Sequence, residues 1–95
     1  MAEEKLFENK VKSFLKQEGA WVLKTWGGGY QRAGIPDLLI CHKGHFIGVE
    51  LKAPKGKTTR LQEWNLEEIE KAGGTGIVLY PKDFEFFKDF IRGLE

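Results

Sequence analysis

This chain has one cysteine, Cys41, and two histidines, His42 and His45. A single thiol excludes an internal disulfide and any cysteine-rich zinc site. Cys41 falls in an apolar run and is expected to be buried. The histidines flank a turn and read as surface residues, not metal ligands. No stretch approaches the roughly 20 apolar residues of a membrane span. The N-terminus, Met1-Ala2-Glu3-Glu4-Lys5, lacks the pattern of a signal peptide, so a cytoplasmic protein with no membrane partner is expected. Charge of one sign is also scarce. The net charge is +1, which excludes a bulk polycation, so any nucleic-acid binding has to come from a local patch or a bound metal. There are no repeats, linkers or low-complexity segments. The 95 residues, 41% hydrophobic and 31% charged, fit one globular domain over 1–95.

The pattern of elements is alternating. Residues 3–18 read as a helix with Phe7, Val11, Phe14 and Leu15 as its apolar stripe and Gly19 at its end. Glu4 and Glu8 both fall on or beside that stripe. Residues 21–26 read as a strand, followed by Gly27-Gly28-Gly29 and then Tyr30 to Gly34. Two further strands run from Leu38 to Cys41 and up to Leu51, joined by His42-Lys43-Gly44-His45, where Gly44 supplies the positive φ of a tight hairpin. Pro54 stops the second of these. Thr59 starts another helix as its N-cap, running to about Ala72, with Gln62, Leu66 and Ile69 on one face. The apolar stretch 76–80 reads as a buried strand. Strand, helix, strand in that order predicts a parallel crossover onto the strand bearing Glu50. A last helix, capped by Asp83, carries Phe84, Phe87 and Ile91 as a stripe flanked by Phe86 and Phe90, and is a candidate subunit interface.

The chemistry concentrates in residues 35–52. Strand side chains alternate, so Glu50 and Lys52 share one face, while Ile47, Val49 and Leu51 take the other. An antiparallel hairpin makes Asp37 a neighbour of Glu50. Two carboxylates and an amine in one place can hold a hard divalent cation and steer a water onto a phosphodiester. Lys52, Lys55, Lys57 and Arg60 form the one local basic cluster, placed where a polyanion would approach. Tyr30 and Arg32 can touch a phosphate backbone or stack on a base. Gln62 fits two roles: the Thr59-x-x-Gln62 capping box, or a group that points into the site. Lys55-Gly56-Lys57-Thr58 is no phosphate loop, because Leu51 stands where the earlier glycine would be.

Pro36-Asp37 followed by Glu50-Leu51-Lys52 resembles the PD-(D/E)XK nuclease signature. Gly34-Ile35-Pro36-Asp37, Val49 to Pro54 and Leu61-Gln62 together resemble its VRR-NUC branch. The resemblance extends from about Phe7 to Tyr80. It implies a mixed α/β, restriction-endonuclease-like core of order α-β-β-β-α-β that cuts DNA with Mg²⁺ or Mn²⁺. By that resemblance Asp37 and Glu50 are metal-binding acids, Leu51 offers its carbonyl, Lys52 is the catalytic lysine, and Gln62 orders the site. Glu8 matches the first-helix acid, although the helical-face geometry puts Glu4 nearer the stripe centre. Stand-alone members resemble homodimeric Holliday-junction resolvases, and this chain has room for no second domain. A structure-selective endonuclease on branched DNA is therefore expected. The alternative is a DNA-binding module that keeps the fold without cutting.

Overall fold

The computed structural model describes residues 2–26 and 32–95. Helix α1 (Ala2–Gln17) precedes strands β1 (Trp21–Lys24), β2 (Leu38–His42) and β3 (His45–Leu51). Helix α2 (Arg60–Lys71), strand β4 (Thr75–Leu79), a 3₁₀ turn (Pro81–Asp83) and helix α3 (Phe84–Arg92) follow. The sheet order is β1-β2-β3-β4. The first three strands are antiparallel, and β4 runs parallel to β3, with Glu50 opposite Val78. The fold is thus mixed α/β in the order expected.

Residue alternation decides the layers. Leu38 and Ile40 pair with Val49 and Ile47, and all four are fully buried. They meet Phe7, Val11, Phe14 and Leu15 of α1 and Phe87 and Ile91 of α3 in one core. Phe84 packs edge-on against both Phe7 and Phe14, the favoured arrangement for aromatic pairs. The opposite face of the sheet takes α2, which approaches closely because two strand positions lack a side chain. A Cβ at Gly76 would lie 2.7 Å from the Leu66 carbonyl oxygen, and one at Gly48 would lie 2.6 Å from Ile69 Cδ1. This intimacy fixes where the first turn of α2, with Gln62, stands against the end of β3.

The hairpin register corrects two expectations. Pairing Ile40 with Ile47 puts the even-numbered residues of β2 inside. His42 is therefore buried, and Cys41 is exposed on the other face. The hairpin turn has positive φ at Lys43 (52°) as well as at Gly44 (83°), as a type I′ turn requires. Strand β1 ends at Lys24, short of Trp26. Asp83 occupies the N-cap of α3 but makes no side-chain cap hydrogen bond. The α3 stripe is spent on the chain's own core, with Phe87 and Ile91 buried and Phe86 left 77% exposed. No helix among the described residues is long and apolar enough to cross a membrane.

Candidate metal centre

Asp37 lies one residue before β2, where the chain is pinned to β1. Thr25 donates its backbone N–H to the Asp37 carbonyl at 2.9 Å and its hydroxyl to the Pro36 carbonyl at 2.8 Å. Leu38 pairs with Val49, so Asp37 stands opposite Glu50 one step further along the ladder. The carboxylate of Asp37 is itself oriented, because its Oδ2 accepts from the Leu51 N–H at 2.9 Å. Its Oδ1 is 3.7 Å from Lys24 Nζ.

Glu50 is 4% exposed. Its Oε2 accepts from Gln62 Nε2 at 3.0 Å and lies 3.3 Å from Lys52 Nζ. Its Oε1 is buried without a hydrogen-bond partner. Burial, joined by the negative charge of Asp37, raises the Glu50 carboxyl from its usual range to about 7, against the opposing pull of Lys52. Desolvation and the neighbouring carboxylate thus disfavour the ionised form of Glu50, and Lys52 offsets them only in part. An oxygen left bare in such a place disfavours folding unless a cation or proton meets it. Among the described residues no three His, Cys, Asp or Glu side chains gather into a cage of their own. The donor set thus fits Mg²⁺ or Mn²⁺ held by two carboxylates, backbone oxygen and water, and does not suit a softer ion.

The two readings of Gln62 coexist. Thr59 N–H donates to Gln62 Oε1 at 2.9 Å and Gln62 N–H donates to Thr59 Oγ1 at 3.1 Å, completing the capping box. The amide nitrogen of the same side chain reaches Glu50. One residue therefore starts α2 and ties that start to the site.

Glu8 and Glu4 are separated by burial. Glu4 is exposed, whereas Glu8 is buried. Glu8 Oε1 lies 3.2 Å from Lys24 Nζ, and its Oε2 lies 3.3 and 3.1 Å from the ammoniums of Lys5 and Lys12. Burial alone would raise the Glu8 carboxyl. The lysines outweigh it, Lys12 and Lys24 foremost, and hold it at about 2. Through Lys24, Glu8 is linked to Asp37. Glu8, Lys24, Asp37, Leu51 and Lys52 line one cavity of about 220 Å³.

The residues expected at the nucleic acid are less gathered. Lys55, Lys57 and Arg60 are exposed on the segment entering α2. The phenol of Tyr80 donates to the Gly56 carbonyl at 2.8 Å and holds that segment against the end of β4. Arg32 donates to Asn65 Oδ1 at 2.9 Å. Tyr30 lies outside the described residues. The histidines stand at the far end of the hairpin, where His45 Nε2 is 3.1 Å from the Glu95 carbonyl oxygen. Two contributors escape the sequence reading. Lys24, on the face of β1 paired with Leu38, bridges two acids. Asn65, buried in α2, bonds Arg32, the Ala33 carbonyl and the Leu61 carbonyl. Alternation along β1 already places Lys24 at the site's end of the sheet. Asn65 lies one helical turn beyond Leu61 and carries no such signal.

No curated protein matches this chain. Among solved structures, Hjc from Archaeoglobus fulgidus, a Holliday junction resolvase of an archaeal hyperthermophile, superposes with a TM-score of 0.58 at 17% identity. The alignment covers 79% of this chain and 66% of that one, a likeness of fold. A family model described as archaeal Holliday junction resolvase (Hjc) matches residues 3–79. That span contains α1, all four strands and α2. The chain belongs to the archaeal Holliday junction resolvase (Hjc) family.

Proposed function

We propose that this protein is a divalent-metal-dependent endodeoxyribonuclease that hydrolyses phosphodiester bonds in branched DNA such as Holliday junctions. The observation that carries this is the bare, buried Glu50 Oε1 beside Asp37 at the end of β3. In a domain of this family, a cation is the partner that such an oxygen calls for. Asp37 and Glu50 would hold the cation, with the Leu51 carbonyl as a further ligand. A bound Mg²⁺ or Mn²⁺ supplies charge neutralisation at the phosphoryl oxygens and lowers the pKa of water. Lys52, within 3.3 Å of Glu50, presents an ammonium at the cavity where the scissile phosphate sits. There it orients the attacking water or stabilises the charge that develops on the phosphate. Gln62 fixes the Glu50 carboxylate through Oε2 and leaves Oε1 as the oxygen that would meet a cation. Lys55, Lys57, Arg60 and Arg32 contact the DNA backbone, and Tyr30 is assigned to the same role from the sequence alone. Kinship with the VRR-NUC branch rests on the motif residues alone.

The test is cleavage of four-way, forked and linear DNA of matched sequence, with Mg²⁺, with Mn²⁺ and with chelator. Metal-dependent cutting that prefers the four-way substrate is expected. Intact DNA throughout, with binding indifferent to chelator, would instead indicate a non-cutting binding module.

Symmetric cuts across a four-way junction call for two sites related by a two-fold axis, so a homodimer belongs to this reading. The apolar stripe of α3 is taken up by its own core. The surface that supports dimerisation is instead the sheet face that α2 leaves bare. There Trp21, Cys41 and Phe46 form one cross-strand row, and Leu23 stands beside it. Trp21 is 58% and Leu23 47% exposed, an apolar patch of the kind that marks an interaction site. Sedimentation at micromolar concentration is expected to give a dimer, and Trp21→Glu a monomer. A wild-type monomer would contradict the dimer.

A further inference from the structure

Asn65 is a polar side chain in the interior, 3% exposed, and both ends of its amide are in use. Its Nδ2 donates to the Leu61 carbonyl at 3.0 Å and to the Ala33 carbonyl at 3.4 Å. Its Oδ1 accepts from Arg32 Nη2 at 2.9 Å. Carbonyls only accept, so these two dictate which way the amide faces and leave Oδ1 toward the guanidinium.

The backbone beside Arg32 is held as well. Gly34, with φ of 79°, lies so close to α2 that a Cβ there would stand 2.6 Å from Leu61 Cγ and 2.9 Å from Asn65 Nδ2. Pro36 beyond it is buried, and its carbonyl accepts from the Thr25 hydroxyl. Arg32 is thus tethered both along its main chain and at its tip. Yet it is exposed. A free surface arginine keeps most of its rotamers and gives them up on binding. Arg32 is ordered beforehand, with one of its five N–H donors spent on Asn65 and the rest left for an outside acceptor. Glu68 lines the same cavity, but it is paired with Lys71 at 3.2 Å. Asn65 lies three residues beyond Gln62, whose amide reaches Glu50, and Arg60 opens the same helix. A strand whose scissile phosphate sits at Asp37 and Glu50 therefore passes the start of α2, where Arg60 and Arg32 stand.

We propose that Asn65 is a positioning residue that holds the Arg32 guanidinium as a fixed fork for one DNA backbone phosphate. A planar fork set in advance matches two phosphate oxygens without further ordering. Asn65 acts through Arg32 and touches neither cation nor DNA. The inference rests on the nuclease reading for where the DNA lies, but its test does not need cleavage.

The experiment measures affinity for a labelled four-way junction in chelator, where nothing is cut, across a salt series. Arg32→Met removes the fork. It is expected to lower the slope of log K against log salt by about 0.9 and to bind roughly tenfold more weakly near 0.1 M salt. Asn65→Leu frees the fork without removing its charge. It is expected to keep the slope and to bind about fivefold more weakly, because one long side chain now has to be ordered on binding. Added to Arg32→Met, Asn65→Leu is expected to change affinity less than about twofold, since the amide works only through the arginine. Arg32→Lys keeps the charge but not the fork and is expected to match Asn65→Leu in slope and affinity. It leaves the buried amide in place, so this arm stands even where thermal melts show that Asn65→Leu does not fold. An unchanged slope in Arg32→Met, wild-type affinity in Asn65→Leu or Arg32→Lys, an equal loss from Asn65→Leu in both backgrounds, or no binding by the wild type would each overturn the proposal. Wild-type cleavage in Mg²⁺ is scored in parallel. Cleavage without the coupling removes the Asn65 role and leaves the nuclease, and coupling without cleavage does the reverse.

Discussion

Asp37→Asn will lower metal-dependent cleavage on the order of 10³-fold while shifting the melting temperature by only a few degrees. The size of the first effect follows from the position of the carboxylate. Asp37 is the second acid facing the bare Glu50 oxygen, and a cation held by one carboxylate in place of two loses both affinity and position. The smallness of the second follows from the local bonds. An asparagine carbonyl can still accept the Leu51 N–H that now goes to Oδ2 at 2.9 Å. The pair with Lys24 at 3.7 Å is long, and its loss costs about 1 kcal/mol or less. Single-turnover cleavage of a four-way junction measures the rate, and circular dichroism measures the melt. Cleavage within tenfold of wild type, with the fold intact, would remove Asp37 from the site.

The second large effect concerns stability. Glu50 is buried next to Asp37, and its carboxyl is raised from 4.5 to about 7. The folded protein therefore keeps a proton that the unfolded chain has released. Stability is complete below pH about 4.5, falls as pH rises through the window up to about 7, and above that the full penalty is present. A shift of this size corresponds to about 3 kcal/mol, or on the order of 10 °C in melting temperature for a domain this small. Glu8 works in the opposite sense. Its carboxyl is held at about 2, so its contribution is present above pH about 4.5 and is lost as pH falls toward 2. The metal-free protein should thus be most stable near pH 5.

Glu50→Gln removes the first of these slopes. A neutral amide can accept from Gln62 and Lys52 through its oxygen, where Oε2 now stands, and like the protonated acid it carries no charge for Asp37 to repel. The variant is expected to melt on the order of 10 °C above wild type at pH 8 without metal, to equal it near pH 5, and to be inactive. Mg²⁺ should raise the wild-type melt at pH 8, because it binds the ionised pair, and leave the variant's unmoved. Scanning melts at pH 5 and pH 8, with metal and with chelator, check all of this. A variant less stable than wild type at pH 8 would show that Glu50 is not strained in its charged state.

Much of this site can be read from the chain because it depends on short-range rules. Alternation along β3 and the Gly44 turn bring Asp37 to Glu50, and the two faces of the hairpin follow once Ile47 and Val49 are placed inside. The same logic, carried one strand further, puts His42 inside and Cys41 outside. The apolar run Leu38 to Cys41 hides this, since four consecutive hydrophobic residues show no alternation of their own. Gln62 is ambiguous in the sequence for a different reason: its two amide atoms serve two partners, the Thr59 cap and the Glu50 carboxylate. Glu8 and Lys24 depend on how α1 lies across β1. A helical wheel turns 100° per residue but says nothing about that packing angle, and so it favoured Glu4. The fate of the α3 stripe is likewise tertiary. An aromatic-rich amphipathic helix looks the same whether it covers its own core or a partner.

The central claim is that Asp37 and Glu50 jointly hold one divalent cation. Crystals grown near pH 8 with Mn²⁺ and measured for anomalous scattering test it directly. The account predicts a single strong peak between the two carboxylates, within bonding distance of Glu50 Oε1. A peak elsewhere, or none at saturating Mn²⁺ with Glu50 still meeting only Gln62 and Lys52, would contradict it.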